Sequence, residues 1–352
     1  MLQDGYISCN RKMIGKMMTD NQRAINRTVL KVLTGAFACV MLLAGCGRNS
    51  VREASGTGTY FDTVIDIRIY DTEADKLLQA CFDECARLED ILSAHQESSE
   101  LFAVNHRTEQ TITVSEDLAA CIEQGLLYGD LSDGAFDITI LPLRELWDFE
   151  SEDPSVPKQE AIEDALANVD YRKVHLNGTT LTFDDPSTQI DLGGIAKGYI
   201  SARLKEYLQS QGCTSALINL GGNVSAIGTK PDGSKWVVGI QEPYADRGTV
   251  FDTLEIDGGS VISSGTYERY FTVGDVSYHH ILDPATGYPV QTDLQQVTVV
   301  GDDDVRGDAF STIGILIGRE AAEKLAEQQG WELKLLFIGG ERTGEWFTAG
   351  KG

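Results

Sequence analysis

Apolar residues recur at two different periods along this chain of 352 residues. Across 63–70 they alternate, with Ile65, Ile67 and Ile69 spaced two apart beside Val64, which predicts a strand with one buried face. Across 75–92 the spacing turns helical. Ser115-Glu116-Asp117 opens a second helix, with Ser115 placed as a cap and two acids in the first turn. Residues 148–158 are acidic and carry Pro154 and Pro157, which predicts a surface loop, and 161–167 is a short helix. Residues 174–176 and 181–183 flank Asn177-Gly178, a hairpin signal. A long helix is predicted over 195–211, followed by strands at 216–220, 224–227, 236–240, 250–256, 269–273 and 296–300. Helices over 304–317 and 319–329 lead to a last strand at 333–337. Strands outnumber helices without regular alternation, so the pattern predicts an α+β protein rather than a doubly wound parallel sheet.

The first 45 residues stand apart. Arg11, Lys12, Lys16, Arg23, Arg27 and Lys31 form a basic region, and 32–44 is an apolar run too short to span a bilayer comfortably. The run ends Leu43-Ala44-Gly45-Cys46, which resembles the bacterial lipobox, where the cysteine is lipidated and becomes the mature N-terminus. An ordinary secretory signal with a chance cysteine is the alternative. The expected organisation is a lipoprotein signal segment over 1–45, a lipid anchor and flexible tether over 46–58, and one domain over 59–345. Its expected place is the outward face of the cell membrane, held by the lipid on Cys46.

Charge narrows the partners. The whole chain carries −25, and removal of residues 1–45 leaves 23 Lys/Arg against 52 Asp/Glu, a net charge of −29. Such acidity argues against nucleic acid and against binding anionic lipid through charge alone. A phosphate-rich ligand then needs local positive charge, from lysine, a helix end or a metal ion. Cys81, Cys85, Cys121 and Cys213 fit neither a zinc spacing nor an obvious disulfide framework. Cys81 and Cys85 lie four apart on a predicted helix and read as packed thiols.

Several polar motifs sit at turns. Ile190-Asp191-Leu192-Gly193-Gly194-Ile195-Ala196-Lys197-Gly198-Tyr199 takes a short strand through two glycines into a helix. Glycines admit a ligand close to backbone, and a helix N-terminus favours phosphate. Asp308 and Thr312 share a helix face and suit a hard cation such as Mg²⁺. Two of the five histidines are adjacent in Tyr278-His279-His280-Ile281-Leu282-Asp283-Pro284, where a neutral imidazole serves as general base. Asp133-Gly134-Ala135-Phe136-Asp137 couples an aromatic ring to an acid after a glycine and suits a flat ring system. Taken singly, each motif also reads as an ordinary turn, cap or core segment.

In this order the motifs resemble the FAD:protein FMN transferase family, the ApbE flavin transferases, over roughly residues 59–340. The resemblance also takes in Leu88 to Ser93, Ser99-Glu100, Asn105, Asn219 to Asn223 and Ser264 to Tyr270. It implies an α+β fold of mixed sheets with packed helices, related to the T-fold. It further implies a Mg²⁺-dependent enzyme that takes FAD as substrate, transfers FMN to a Thr or Ser hydroxyl of another protein, and releases AMP. The FAD contacts it implies are Phe61, His95, Ala135, Phe136, Asp137, Asp191, Lys197 and Leu282. The metal contacts are the Gly194 carbonyl, Asp308 and Thr312, with Ser311 beside them, and the catalytic base is His280. Family acceptors carry Ser/Thr-Gly-Ala-Ser/Thr, as in flavinylated membrane redox subunits. The chain has Tyr60-Phe61-Asp62-Thr63 where many members have Thr-Met-Gly-Thr, and His95 where Tyr is common. The competing readings are an FAD pyrophosphatase, with water as acceptor, and a flavin-binding lipoprotein.

Overall fold

A computed structural model describes residues 51–340 and 343–350. The expectations for the signal segment and for Cys46 lie outside the described residues. In chain order the elements open with strands β1 (Arg52–Tyr60) and β2 (Thr63–Asp71) and helices α1 (Ala74–Leu92) and α2 (Glu100–Asn105). Next come β3 (Thr111–Thr113), α3 (Glu116–Leu131), α4 (Leu141–Trp147) and α5 (Gln159–Leu166). The hairpin β4 (Val174–Asn177) and β5 (Thr180–Phe183) leads to α6 (Ala196–Ser210), then β6 (Ala216–Leu220) and β7 (Asn223–Ile227). Five strands follow: β8 (Trp236–Gln241), β9 (Val250–Ile256), β10 (Gly259–Gly265), β11 (Tyr270–Val273) and β12 (Val276–His279). The chain continues through β13 (Leu294–Gly301), α7 (Asp304–Ile317), α8 (Arg319–Gln328), β14 (Leu333–Gly339) and β15 (Gly344–Ala349).

The central sheet has eight strands in the order β1-β2-β6-β7-β10-β13-β14-β15, so they lie in the sheet in the order they occur in the chain. Every strand pairing among the described residues is antiparallel. The α+β class stands. Alternation does its work in β2, where Ile65, Ile67 and Ile69 are buried while Val64 is exposed. Helices α1, α6 and α7 pack on the sheet, and their apolar sides merge with it into the main core. A second cluster joins Trp236, Val238, Ile240 and Ile256 of the β8–β9 hairpin to Ala226, Val261, Leu336 and Ile338 of the central sheet. A third, smaller core sets Trp147 and Leu143 of α4 and Ile162 of α5 against Phe271 and Leu282, and it anchors the β11–β12 hairpin.

One boundary is corrected. Residues 52–58, expected as tether, form most of β1, paired with β2 from Arg52↔Asp71 to Tyr60↔Thr63. The glycines that suggested flexibility are packing positions: a Cβ on Gly58 would lie 3.0 Å from the Phe82 ring of α1. The β1–β2 turn is tight, with Phe61 and Asp62 both in the left-handed region at φ 53° and 55°. A bulky aromatic residue there is strained, and such strain collects at functional sites.

Local signals for other elements hold. The Ser115 hydroxyl caps α3 by accepting from Leu118 N at 3.3 Å, and Asn177-Gly178 lies at the β4–β5 turn. Residues 148–158 contain no helix or strand. Cys81 and Cys85 are buried free thiols whose pKa values burial pushes up to about 12, which keeps them protonated and inert. No helix among the described residues is long and apolar enough to cross a membrane.

The crossing of α6 over α7 positions the site. A Cβ on Gly198 would lie 2.4 Å from the Asp304 carbonyl oxygen and 2.7 Å from the Asp308 Cβ, so only glycine permits this approach. Asp304 is tied to α6 by Lys205 Nζ at 2.8 Å and to β7 by the Ser225 hydroxyl at 2.5 Å. Burial pushes the Asp304 carboxyl up, and these partners counter it.

Candidate active site

The turn before α6 is held from two sides. Asn105 at the end of α2 acts as a surrogate strand: its Nδ2 donates to the Ile190 carbonyl at 2.8 Å and its Oδ1 accepts from Ile190 N at 2.7 Å. Asp191 N then donates to the Ile138 carbonyl at 2.7 Å, which brings the Ala135-Phe136-Asp137 segment alongside. The Phe136 ring lies so close to Gly194 that a Cβ there would be 2.9 Å from it.

Asp191 is buried, its Oδ1 accepting from Gly193 N at 2.7 Å and its Oδ2 paired with the Arg144 guanidinium. Burial pushes the carboxyl up, but Arg144, the Gly193 N–H and nearby His95 outweigh this and leave it below the ordinary carboxylate range. Arg144 also feels Glu150 and Asp62, so it stands between the glycine turn and the strained β1–β2 turn. The motif reading missed Arg144. It lies on a helix whose apolar residues dominate the pattern, and nothing in sequence pairs it with a residue 47 positions away.

Asp308 is the centre of the second group. Its Oδ2 accepts from Gly198 N at 2.8 Å, its Oδ1 accepts from Asn223 Nδ2 at 2.7 Å, and Lys197 Nζ lies 3.3 Å from Oδ1. α6 begins at Ala196 after the N-cap Ile195, so the Gly198 N–H is a first-turn donor with no partner inside the helix, and the Gly194 carbonyl precedes the helix. Asp308 takes that N–H, and among the described hydrogen bonds none ends on the Gly194 carbonyl. The Gly194 oxygen is therefore available as a ligand. Thr312, one turn beyond Asp308, contacts Ser264 Oγ at 3.0 Å. The donor set is one carboxylate, one backbone carbonyl and one hydroxyl, all hard oxygens, which fits Mg²⁺ completed by water and substrate phosphate. Among the described residues no cluster of three or more His, Cys, Asp or Glu offers an alternative metal cage.

Other expected contacts shift in role. Ser311 is fully buried, and its hydroxyl donates to the Asp308 carbonyl at 2.9 Å and meets Ser264 Oγ at 2.7 Å, so it supports the ligands from behind. The Asp137 carboxylate accepts from Thr139 N at 2.7 Å, Thr139 Oγ1 at 2.6 Å and Tyr171 N at 2.9 Å, and thereby serves the fold. Leu282 points into the third core, which leaves its backbone for any ligand. The α6 end offers fewer N–H groups than expected: Ile195 and Ala196 donate to Leu192 at 3.0 and 2.8 Å, and Gly198 donates to Asp308. Positive charge there rests on Lys197 and the helix dipole. Phe61 N donates to Glu89 Oε1 at 2.5 Å, fixing the strained turn, while His95 is exposed.

His280 follows β12. Its backbone N donates to the Arg269 carbonyl at 3.0 Å, and Nδ1 lies 3.3 Å from the same oxygen. An Nδ1–H on that carbonyl leaves Nε2 as the free basic nitrogen. Burial pushes the imidazole down to about 3, and the charges of Arg269 and Lys197 add to the effect. His280 is therefore neutral at physiological pH and feels the same Lys197 that faces Asp308. His279 is buried and contacts the Val290 carbonyl at 3.2 Å. Asp283, a weaker candidate for proton removal, is engaged in its own turn with Ala285 N at 2.9 Å and Thr286 Oγ1 at 3.0 Å.

A profile of the ApbE family matches residues 61–337. The chain is 37% identical over 249 residues to an FAD:protein FMN transferase of Klebsiella pneumoniae, covering 70% of this chain and 77% of that protein. It is 31% identical to one from Treponema pallidum, over 81% of this chain and 85% of the relative. This chain belongs to the ApbE family. Among solved structures, the flavin transferase ApbE from Vibrio cholerae superposes with a TM-score of 0.75 at 26% identity, over 85% of this chain and 97% of that one. The ApbE protein from Thermotoga maritima gives 0.76 at 30% identity, over 84% and 96%. The α+β architecture is thus that of the ApbE flavin transferases.

Two predictions follow from the charges of this ApbE site. Arg144→Met leaves Asp191 buried without its cation. The expected loss is about 2–3 kcal/mol in urea unfolding at pH 7, below the figure for a fully buried pair because Arg144 is partly exposed. Adding Asp191→Asn should recover more than half of it, and a fully additive double variant would count against the pairing. The His280 value lies below its ordinary 6.5, so between about 3 and 6.5 the unfolded chain binds the extra proton. Its contribution to stability is whole above pH 6.5 and is lost as pH falls toward 3. Between pH 7 and pH 5, His280→Asn should lose less stability than the parent. Equal losses would show that the imidazole is not held neutral.

Proposed function

We propose that this protein transfers FMN from FAD to a Thr or Ser hydroxyl of a partner protein, forming a phosphoester and releasing AMP. FMN transfer from FAD to protein is the activity named for its relatives from Klebsiella pneumoniae and Treponema pallidum. The observation that carries the reading for this chain is the Asp308 carboxylate, drawn between the Gly198 N–H and Lys197 beside the Gly194 carbonyl, on which no hydrogen bond among the described residues ends. In a protein of net charge −25, that arrangement supports a place for a cation that in turn neutralises a diphosphate.

The Gly194 carbonyl, Asp308 and Thr312 would hold Mg²⁺, with Ser311 behind them. Bound there, the cation supplies neutralisation of the diphosphate charge. Lys197 and the positive end of α6 face the same phosphate oxygens. Phe61, on its strained turn, and Phe136, beside Gly194, would flank the flavin, with His95 and Asp191 at its edge. His280 Nε2 accepts the proton of the acceptor hydroxyl as that oxygen bonds to the FMN phosphorus and the bond to the AMP oxygen breaks. Arg269 and Lys197 keep the imidazole unprotonated until then.

The apolar run ending at Cys46 supports a lipid anchor on the outward face of the cell membrane, where exported domains bearing Ser/Thr-Gly-Ala-Ser/Thr are the acceptors. The test is incubation with FAD, Mg²⁺ and an acceptor domain carrying Ser-Gly-Ala-Thr. The acceptor should gain the mass of FMN, with AMP released in equal amount, and EDTA or Asp308→Ala should abolish the gain. Free FMN and AMP with an unchanged acceptor would identify a pyrophosphatase instead.

A further inference from the structure

Two side chains outside the expected ligand set touch the two that are in it. Asn223 opens β7 and Ser264 lies near the end of β10, its neighbour in the central sheet. Asn223 is 1% exposed, and its Nδ2 donates to Asp308 Oδ1 at 2.7 Å. The Gly198 N–H holds the other oxygen at 2.8 Å. Lys197 Nζ also lies 3.3 Å from Oδ1 but on a long, partly exposed side chain, so the buried Asn223 amide and the Gly198 N–H, one on each oxygen, are the fixed donors that set both side-chain torsions of Asp308.

Ser264 governs the second ligand through proton direction. The Ser311 hydroxyl has one proton, and we assign it to the Asp308 carbonyl at 2.9 Å, because of its two partners that oxygen can only accept whereas Ser264 can donate. In the 2.7 Å contact between Ser264 and Ser311, Ser264 is then the donor. In the 3.0 Å contact between Ser264 and Thr312, Thr312 is the donor. The Thr312 oxygen is left with lone pairs alone on its remaining side, the form a cation requires.

We propose that Asn223 and Ser264 are positioning residues of the divalent-cation site, Asn223 setting the Asp308 carboxylate and Ser264 the lone pairs of Thr312. The proposal rests on the reading of Asp308 and Thr312 as cation ligands. Groups that orient metal ligands typically change affinity by about 10–100-fold when removed.

The test titrates Mn²⁺ into the full chain without FAD, followed by electron paramagnetic resonance. Separate readouts are FAD binding without metal and the Mg²⁺ dependence of transfer. Asn223→Leu and Ser264→Ala should each raise the Mn²⁺ dissociation constant about tenfold or more. Ser264→Thr, which keeps the hydroxyl, should restore most of that loss. Turnover should recover at saturating Mg²⁺, and metal-free FAD binding should not change. Parental Mn²⁺ affinity in folded Ser264→Ala and Asn223→Leu would overturn the proposal alone, as would a turnover loss that saturating Mg²⁺ fails to restore. Absence of Mn²⁺ binding by the parent would overturn the cation reading of Asp308 and Thr312, and this proposal with it. If Asn223→Leu does not fold, the Ser264→Ala and Ser264→Thr pair decides.

Discussion

The hydrogen bond from Gly198 N to Asp308 is the contact on which the rest of the site depends. It exists because two helices cross where one of them has no side chain: a Cβ at Gly198 would sit inside the Asp304 carbonyl. The bond does three things at once. It holds a carboxylate that is nearly fully buried, it ties α7 to α6, and it satisfies a first-turn N–H of α6 that has no partner inside the helix. Burying an ionised carboxylate is costly unless its oxygens are paired, and here Gly198, Asn223 and Lys197 pair them. The same crossing places Lys197 beside the helix end.

Charge balance around this junction is local. The chain as a whole is strongly acidic and repels anions at long range. Within the site, Arg144 is matched to Asp191 and Lys197 to Asp308, while Arg269 pairs its guanidinium with Glu150 and offers its carbonyl to His280. Burial and these cations oppose each other at the acid and act together at the base. Arg144 keeps Asp191 ionised against its burial, whereas burial together with Arg269 and Lys197 keeps His280 neutral, the states that a binding carboxylate and a proton acceptor need.

Much of this was legible in sequence, and the limits have physical causes. The β2 alternation, the Ser115 cap, the Asn177-Gly178 turn and the 304–317 helix are local signals, and each holds. The site residues were legible as an ordered set of motifs, since glycines, acids and histidines at turns mark backbone approach and chemistry. Strand β1 was misread because Gly56 and Gly58 suggest flexibility, whereas the Phe82 ring across the interface requires their small size. The three internal hydrogen bonds of Asp137 come from residues 139 and 171, which no local pattern links. Arg144, Asn223 and Ser264 were missed as site residues for the same reason: their meaning lies in partners 47, 85 and 48 positions away.

The most direct measurement of the central claim is a crystal structure of the protein with FAD and Mn²⁺, with the metal located by anomalous scattering. The account predicts a metal peak in contact with the Gly194 carbonyl, the Asp308 carboxylate and Thr312 Oγ1, with the FAD phosphates completing its shell. A metal held elsewhere, away from the Gly194 carbonyl and the Asp308 carboxylate, would contradict the claim that the Gly198–Asp308 crossing builds the site.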